Sequence, residues 1–110
     1  MSFYSEIILI VGDACDEEAA DFEIHLPKSS GDTVPLTPMK GPGPSPLVGF
    51  ASVKYLDFAA AAKVLDEHPW PRNTRETSIL VYDDEDAYKP TAMSVDEAIE
   101  WFRKLAPRAT

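Results

Sequence analysis

The proline-rich segment at residues 27–46 limits the possible folds of this 110-residue chain more than any other feature. Six of its twenty residues are proline and three are glycine. Proline has no amide proton for a helix or a sheet ladder, and both residue types favour turns. We therefore predict an insert loop without regular helix or strand at 27–46. Its P-x-x-P pattern, Pro35-Leu36-Thr37-Pro38, is expected on the surface of the protein.

Regular elements are predicted on both sides of the insert loop, within a single domain that spans residues 1–110. Apolar runs and strict alternation are typical of strands, and they occur at residues 4–11, 22–26, 47–55 and 77–82. A hairpin return strand is predicted between Tyr88 and Met93. Because a helix separates strands 47–55 and 77–82, we expect these two strands to be parallel, with a right-handed crossover.

Two amphipathic helices complete the predicted elements. The first spans residues 58–67, with Asp57 as its N-cap. The second begins at the capping-box pattern Ser94-Val95-Asp96-Glu97 and is expected to end at Pro107. Together the elements predict an α+β fold with a mixed, mainly antiparallel sheet of four to five strands and two helices on one face.

The chain is strongly negative, because it contains 19 Asp and Glu residues but 10 Lys and Arg residues, for a formal net charge of −9. This field opposes binding to nucleic-acid phosphates and to anionic membrane surfaces. It favours basic protein surfaces, because opposite charge steers such partners toward the chain. We therefore expect a basic protein surface as the partner, with no direct contact to nucleic acid or membrane.

The carboxylates are concentrated in two segments, residues 13–23 and 83–86. Tryptophan residues outside the predicted core stripes are typical anchors of protein interfaces. The predicted partner-binding residues are Asp13, Asp16, Glu17, Glu18, Asp21, Asp83, Asp84, Glu85, Asp86, Trp70 and Trp101.

The chain has too few cysteine and histidine residues for nucleophilic catalysis or a structural zinc site. The chain has one cysteine, Cys15, and two histidines, His25 and His68, whereas structural zinc needs four such ligands. Acidic neighbours of Cys15 disfavour its reactive thiolate form. We therefore predict no catalytic residues and no cofactor.

A divalent-metal site is the alternative that the acidic residues leave open. Asp13 follows the strand at 4–11, and Asp83 and Asp84 follow the strand at 77–82. If these strands are parallel neighbours, the three carboxylates gather at one sheet edge, where oxygen ligands hold Mg²⁺. If the strands are antiparallel, the two groups lie at opposite ends and the site is lost.

The sequence also predicts a cytoplasmic location. The longest apolar run, residues 7–11, has five residues, whereas a membrane-spanning helix needs about 20. No cation precedes this run, as it would in a secretory signal. A single cysteine suits a reducing compartment.

These observations favour a small, acidic, non-catalytic interaction protein of the inhibitor or immunity type. It would bind a basic surface on a protein partner, such as a nucleic-acid enzyme, with carboxylates in the place of phosphates. One alternative is a divalent-metal-dependent phosphoryl-transfer or hydrolytic enzyme that uses Asp13, Asp83 and Asp84. Another is a subunit of a larger assembly, docked through an uncovered sheet face on which Phe50 and Tyr82 are exposed. The oligomeric state stays open.

Overall fold

A computed structural model of the chain describes residues 4–12, 22–40, 47–71, 73–84 and 90–109. The described elements, in chain order, are β1 (Tyr4–Val11), β2 (Ile24–Pro27), β3 (Thr33–Leu36), β4 (Met39–Lys40), β5 (Leu47–Lys54), α1 (Phe58–Glu67), α2 (Thr74–Thr77), β6 (Ile79–Asp84), β7 (Thr91–Ser94) and α3 (Val95–Ala109).

The main sheet has five strands in the order β4-β5-β1-β6-β7, and each neighbouring pair is antiparallel. β1 is the central strand. It pairs with β5 from Tyr4 opposite Lys54 to Val11 opposite Leu47, and with β6 from Ser5 opposite Asp84. The predicted α+β fold with a mainly antiparallel sheet is confirmed.

The predicted crossover is only partly correct. β5 and β6 run in the same direction, because each is antiparallel to β1, but β1 lies between them. The chain therefore passes from β5 through α1 to a strand that is not its sheet neighbour. The pattern of a single sequence predicts that two strands joined by a helix run in the same direction. It does not reveal that an earlier strand lies between them in the sheet.

One face of the main sheet is covered by α1, α3 and a separate two-stranded sheet of β2 and β3. Alternate residues of every long strand point to this face, as the period of two requires. The fully buried side chains with the largest volumes are Phe22, Phe102, Ile7, Leu9, Ile24, Leu26, Leu36, Leu65, Leu80, Val11, Val53 and Val95.

Both predicted helix starts are confirmed by their caps. The Asp57 side chain accepts a hydrogen bond from the Ala60 amide at 3.1 Å. Ser94 and Glu97 form the reciprocal capping box, with distances of 3.2 Å and 3.3 Å. The end of α3 differs from the prediction, because the helix extends to Ala109, beyond Pro107. Proline removes one backbone hydrogen bond but keeps a helical φ, so a terminal turn tolerates it.

The expectation of an insert without regular strand is wrong for its described part. β3 and β4 lie within residues 27–40, and β3 forms a hairpin with β2. Gly31, with a φ of +99°, supplies the left-handed residue in the turn between them. Proline is tolerated in such short, edge-like strands, where one side of the backbone needs no partner. Residues 41–46 lie outside the described residues.

The P-x-x-P pattern is part of the packed structure rather than a surface arm. Leu36, inside the pattern, is fully buried, and Pro38 is buried against Gly49 of β5. A groove on another protein could enclose this segment only if Leu36 and Pro38 left the core.

Gly12, directly after β1, packs so closely on α2 that a larger residue must displace backbone. A Cβ added there would clash with the Thr77 Oγ1 and would lie 2.5 Å from the Thr77 carbonyl oxygen. Overpacking of this kind costs about 1–3 kcal/mol or more. We predict that Gly12→Ala lowers the free energy of unfolding by about 2–3 kcal/mol in urea denaturation.

Gly31→Ala serves as the comparison for this variant, because its Cβ meets no atom within 4 Å and only its positive φ is unfavourable. It should cost about 1 kcal/mol. Equal losses in the two variants would mean that contact with Thr77 does not determine the need for glycine at position 12.

Candidate functional site

Most of the predicted acidic residues lie outside the described residues, and the structure gives no account of them. These are Asp13, Asp16, Glu17, Glu18, Asp21, Glu85 and Asp86. Two predicted carboxylate positions are described, both near the end of β6. Asp84 pairs with Ser5 of β1, and Asp83 pairs with Glu6.

The sheet topology does not meet the condition for the predicted metal site. β1 and β6 are antiparallel, so Asp83 and Asp84 lie beside the first residues of β1. Asp13 is bonded to Gly12, which follows the other end of β1 and donates its amide proton to Ser78 Oγ at 3.2 Å. Five residues of strand lie between Glu6 and Gly12, a length of roughly 20 Å. Asp13 itself lies outside the described residues, so the site formed by Asp13, Asp83 and Asp84 stays a prediction.

The carboxylates between α1 and α3 are neutralised by arginine. Arg75 donates hydrogen bonds to Asp96 and Asp66, each at 2.9 Å. These hydrogen bonds, to Asp96 first and then to Asp66, raise the pKa of Arg75. Arg103 also lies within salt-bridge distance of Asp66, at 3.5 Å, and of Glu100, at 3.4 Å. Asp66, Asp96 and Glu100 therefore have arginine partners within the chain.

Glu6 and Asp83 form a different arrangement, in which two carboxylates of neighbouring strands face each other without a cation between them. They are directly opposite in the β1–β6 register, where Cβ atoms are about 4.5–5.5 Å apart. Within the described part of the chain, neither forms a salt bridge or a side-chain hydrogen bond. The amine of Lys54, farther along this face, lies over the rings of Tyr4 and Tyr55.

The two predicted tryptophan anchors both contact the core. Trp70 donates from its indole Nε1 to the Leu65 carbonyl oxygen at 2.9 Å, and its ring packs edge-on against Phe22 and His68. Trp101 packs edge-on against Tyr82, with ring centroids 4.7 Å apart. Both tryptophans are half-buried, so each keeps an exposed edge. Their contacts with the core already account for their positions.

Trp101 also lines a shallow groove along α3. The other described residues of this groove are Asp96, Glu97, Glu100 and Lys104. All five belong to one helix, so the groove offers a partner contact along a single element. The role of Trp101 as an anchor stays a prediction.

The second face of the main sheet carries a continuous apolar surface that no described element covers. We call it the open face. The most exposed of its side chains are Met39, at 72%, and Phe50, at 56%. Its apolar residues, from β4 across to β7, are Met39, Val48, Phe50, Ile8, Ile10, Ile79, Val81 and Ala92.

The strand register arranges these side chains in two rows, since residues directly opposite in a sheet point to the same face. One row runs from Met39 through Val48 and Ile10 to Ile79. The other contains Phe50, Ile8, Val81 and Ala92. Glu6 and Asp83 belong to the next row along the strands, so the open face ends in a pair of carboxylates.

The sequence hypothesis of an uncovered sheet face predicted two exposed residues, of which one is exposed and one is buried. Phe50 is exposed on the open face, as predicted. Tyr82 is only 5% exposed and points to the helices, with its hydroxyl 2.9 Å from Ser5 Oγ. The structure places this strand two residues later than the predicted 77–82. A short apolar run does not indicate which of its residues point toward the core.

Comparisons with models of protein families, with curated proteins and with solved structures find no match to this chain. Among the described residues, no three His, Cys, Asp or Glu side chains come close enough to hold a metal ion. In the same part of the chain, no helix combines the length and the apolar character needed to cross a membrane.

Burial of the His68 side chain affects its ionisation. Its ring lies edge-on to Phe22 and Trp70, and its Nε2 atom is buried without a hydrogen-bond partner. Burial lowers the pKa of His68 below its ordinary value of 6.5, because the charged ring loses solvation. In the unfolded chain the ring therefore takes up a proton at a higher pH than in the folded protein.

We predict that His68 lowers the stability of the protein as the pH falls below about 6.5, with no contribution above that value. Urea melts between about pH 7.5 and about pH 5.5 should show this loss in the wild-type protein. His68→Phe, which keeps an aromatic ring but cannot titrate, should reduce it. His25→Gln changes the exposed histidine and should leave the loss intact. A pH dependence that disappears in His25→Gln instead would contradict the assignment.

The opposed carboxylates should make the folded protein less stable than it would be without them. Like charges directly opposite in a sheet are destabilising, and cross-strand pairs contribute about 0.2–1 kcal/mol. We predict that Glu6→Gln raises the free energy of unfolding by about 0.5 kcal/mol at low salt, and less at high salt. A loss of stability in this variant would show that Glu6 has a stabilising partner.

Proposed function

We propose that this protein is a small, acidic, non-catalytic interaction protein that binds a basic surface on a protein partner. The contact is made by the end of the open face at Glu6 and Asp83, which we call the acidic end. The observation that supports this proposal is the opposed pair itself, which has no cation partner among the described residues. A partner's lysine or arginine would supply the missing positive charge.

The contrast with the helical side of the molecule supports the choice of this site. Between α1 and α3, Arg75 and Arg103 neutralise neighbouring carboxylates within the chain. At the acidic end, the corresponding cation is missing in the described residues. Because the arrangement weakens the fold, its presence is better explained by binding than by stability.

The geometry of the pair suits a single cation. Two carboxylates on side chains whose Cβ atoms lie about 5 Å apart can both accept hydrogen bonds from one guanidinium group or one ammonium group. In this proposal the two carboxylates occupy the place that phosphates take on the nucleic-acid-binding surface of the partner. We therefore propose inhibition of a nucleic-acid enzyme, in the manner of an inhibitor or immunity protein, as the role of this contact.

The net charge of the whole chain adds long-range attraction to this local contact. A formal charge of −9 accelerates the encounter with a cationic partner, and salt screens this attraction over about 10 Å at 0.1 M. The proposed compartment is the cytoplasm, because a single cysteine suits a reducing environment.

The proposal is tested with the double variant Glu6→Gln/Asp83→Asn. Partners captured from the native source by the wild-type protein are identified, and their association is measured by surface plasmon resonance. We predict that the double variant lowers the association rate constant on the order of tenfold. Raising the salt from about 50 mM to about 500 mM should slow the wild-type association in the same direction.

The matched control is Glu67→Gln/Glu76→Gln, which removes two exposed carboxylates of α1 and α2 and leaves the acidic end unchanged. It should retain most of the association rate. Association that is insensitive to salt, or that falls equally in both double variants, would contradict a specific contact at the acidic end.

A further inference from the structure

One long edge of the main sheet is unpaired within the described chain. β4 pairs only with Leu47 and Val48, at the start of β5. Residues 49–54 pair with β1 on one side, and no described strand pairs with them on the other. At about 3.4 Å per residue, this unpaired stretch is roughly 20 Å long. We call it the β5 edge.

Pro38 explains why the chain before β4 does not cover the β5 edge. Met39 lies at the edge, opposite Val48. Gly49 points to the core side, and a Cβ added there would lie 3.1 Å from the Pro38 nitrogen. The preceding chain therefore passes beneath β5 at Gly49 instead of continuing beside it as a paired strand.

The hydrogen-bonding pattern of the sheet shows which backbone groups point outward at the β5 edge. In an antiparallel sheet, successive residues direct their backbone groups alternately to the two neighbouring strands. Ser94 gives its amide proton to the Glu97 side chain, so it does not bond to β6. Following the alternation through β6 and β1, the outward groups belong to Phe50, Ser52 and Lys54. None of these groups has a hydrogen-bond partner in the described part of the chain.

The chemistry of these outward groups suits an extended backbone. Their amide and carbonyl groups repeat every second residue, about 6.8 Å apart, which is the repeat of another strand. Addition of an extended segment to such an edge is an established mode of peptide recognition. Proline, bulges and charges usually protect a free edge. Residues 49–54 contain no proline, their register with β1 is continuous, and Lys54 is their one charged residue.

The side chains beside the β5 edge indicate the composition of that segment. Ser52 is opposite Glu6, which is opposite Asp83, and opposite residues share one face of the sheet. An added strand places one of its residues opposite Ser52, in line with both carboxylates. Because serine is small, a lysine or arginine there can extend over it toward Glu6. On the core side the neighbours are Ala51 and Val53, which favour apolar residues.

We infer that the β5 edge binds an extended segment of a partner protein, which joins the main sheet as an additional strand. The segment has a basic residue opposite Ser52 and apolar residues on the core side. Its basic residue rests on the proposed function, which requires opposite charge. The strand addition requires backbone hydrogen bonds in addition, so the two can be tested separately.

Two synthetic peptides with blocked ends serve as probes. Both have the sequence Val-Thr-Val-Arg-Val-Thr-Val, about the length of a natural strand. With the arginine opposite Ser52, the threonine and arginine amides point to the β5 edge and the valine amides point away. One peptide is N-methylated at its threonine and arginine amides, and the other at its three inner and terminal valine amides. The two have the same charge and side chains, and only the first loses the donors that face the edge.

The measurement is an amide chemical-shift titration of the full chain. The valine-methylated peptide should shift the amide signals of Phe50, Ser52 and Lys54 and bind at least about tenfold more tightly than the other peptide. Ser52→Pro removes one outward amide without breaking a bond to β1, and should weaken the valine-methylated peptide about tenfold. Ser52→Ala keeps that amide and should bind as the wild-type protein does. The signals of the other residues establish that both variants fold.

Equal affinity of the two peptides would overturn the strand addition and leave the charge contact intact, because both peptides carry the same charge. Absence of binding by the valine-methylated peptide would overturn it as well. So would slow hydrogen exchange of the Phe50, Ser52 and Lys54 amides in the unbound protein, since the edge would then be covered already. Failure of the proposed function differs from these results, because Glu6→Gln/Asp83→Asn would then bind the valine-methylated peptide as tightly as the wild-type protein.

Discussion

The pairing of β1 with strands on both sides is the interaction on which the rest of the structure depends. Its eight residues form the antiparallel ladder with β5, and most of them also pair with β6. The register determines which side chains meet the helices and which lie on the open face. A shift by one residue would exchange Ile7 and Leu9 with Ile8 and Ile10, and would remove the alignment of Glu6 with Asp83.

The same strand explains why the open face is so apolar. A central strand with a continuous apolar run is typical of a sheet covered on both sides. In β1 the buried residues alternate with Ile8 and Ile10, which are only partly covered within the described chain. The sequence of β1 therefore belongs to a strand with two buried faces, although the described residues bury one of them fully.

Local sequence patterns predicted the elements that depend on local chemistry. Asp57 and the capping box at Ser94 predicted helix starts because an unpaired amide needs a nearby acceptor, and this requirement acts within a few residues. The position of β1 between β5 and β6 could not be predicted, because its strand pairing joins residues at least 36 positions apart.

The prediction from composition was wrong where side-chain packing determines the local structure. Proline content argued against strands at 27–40, yet β2 and β3 form a hairpin because Leu26 and Leu36 are buried beneath it. The acidic pair at Glu6 and Asp83 was missed in part, since Glu6 is isolated in the sequence and joins Asp83 only through the sheet register. Charge counts describe the whole chain, whereas neutralisation depends on which side chains meet in space.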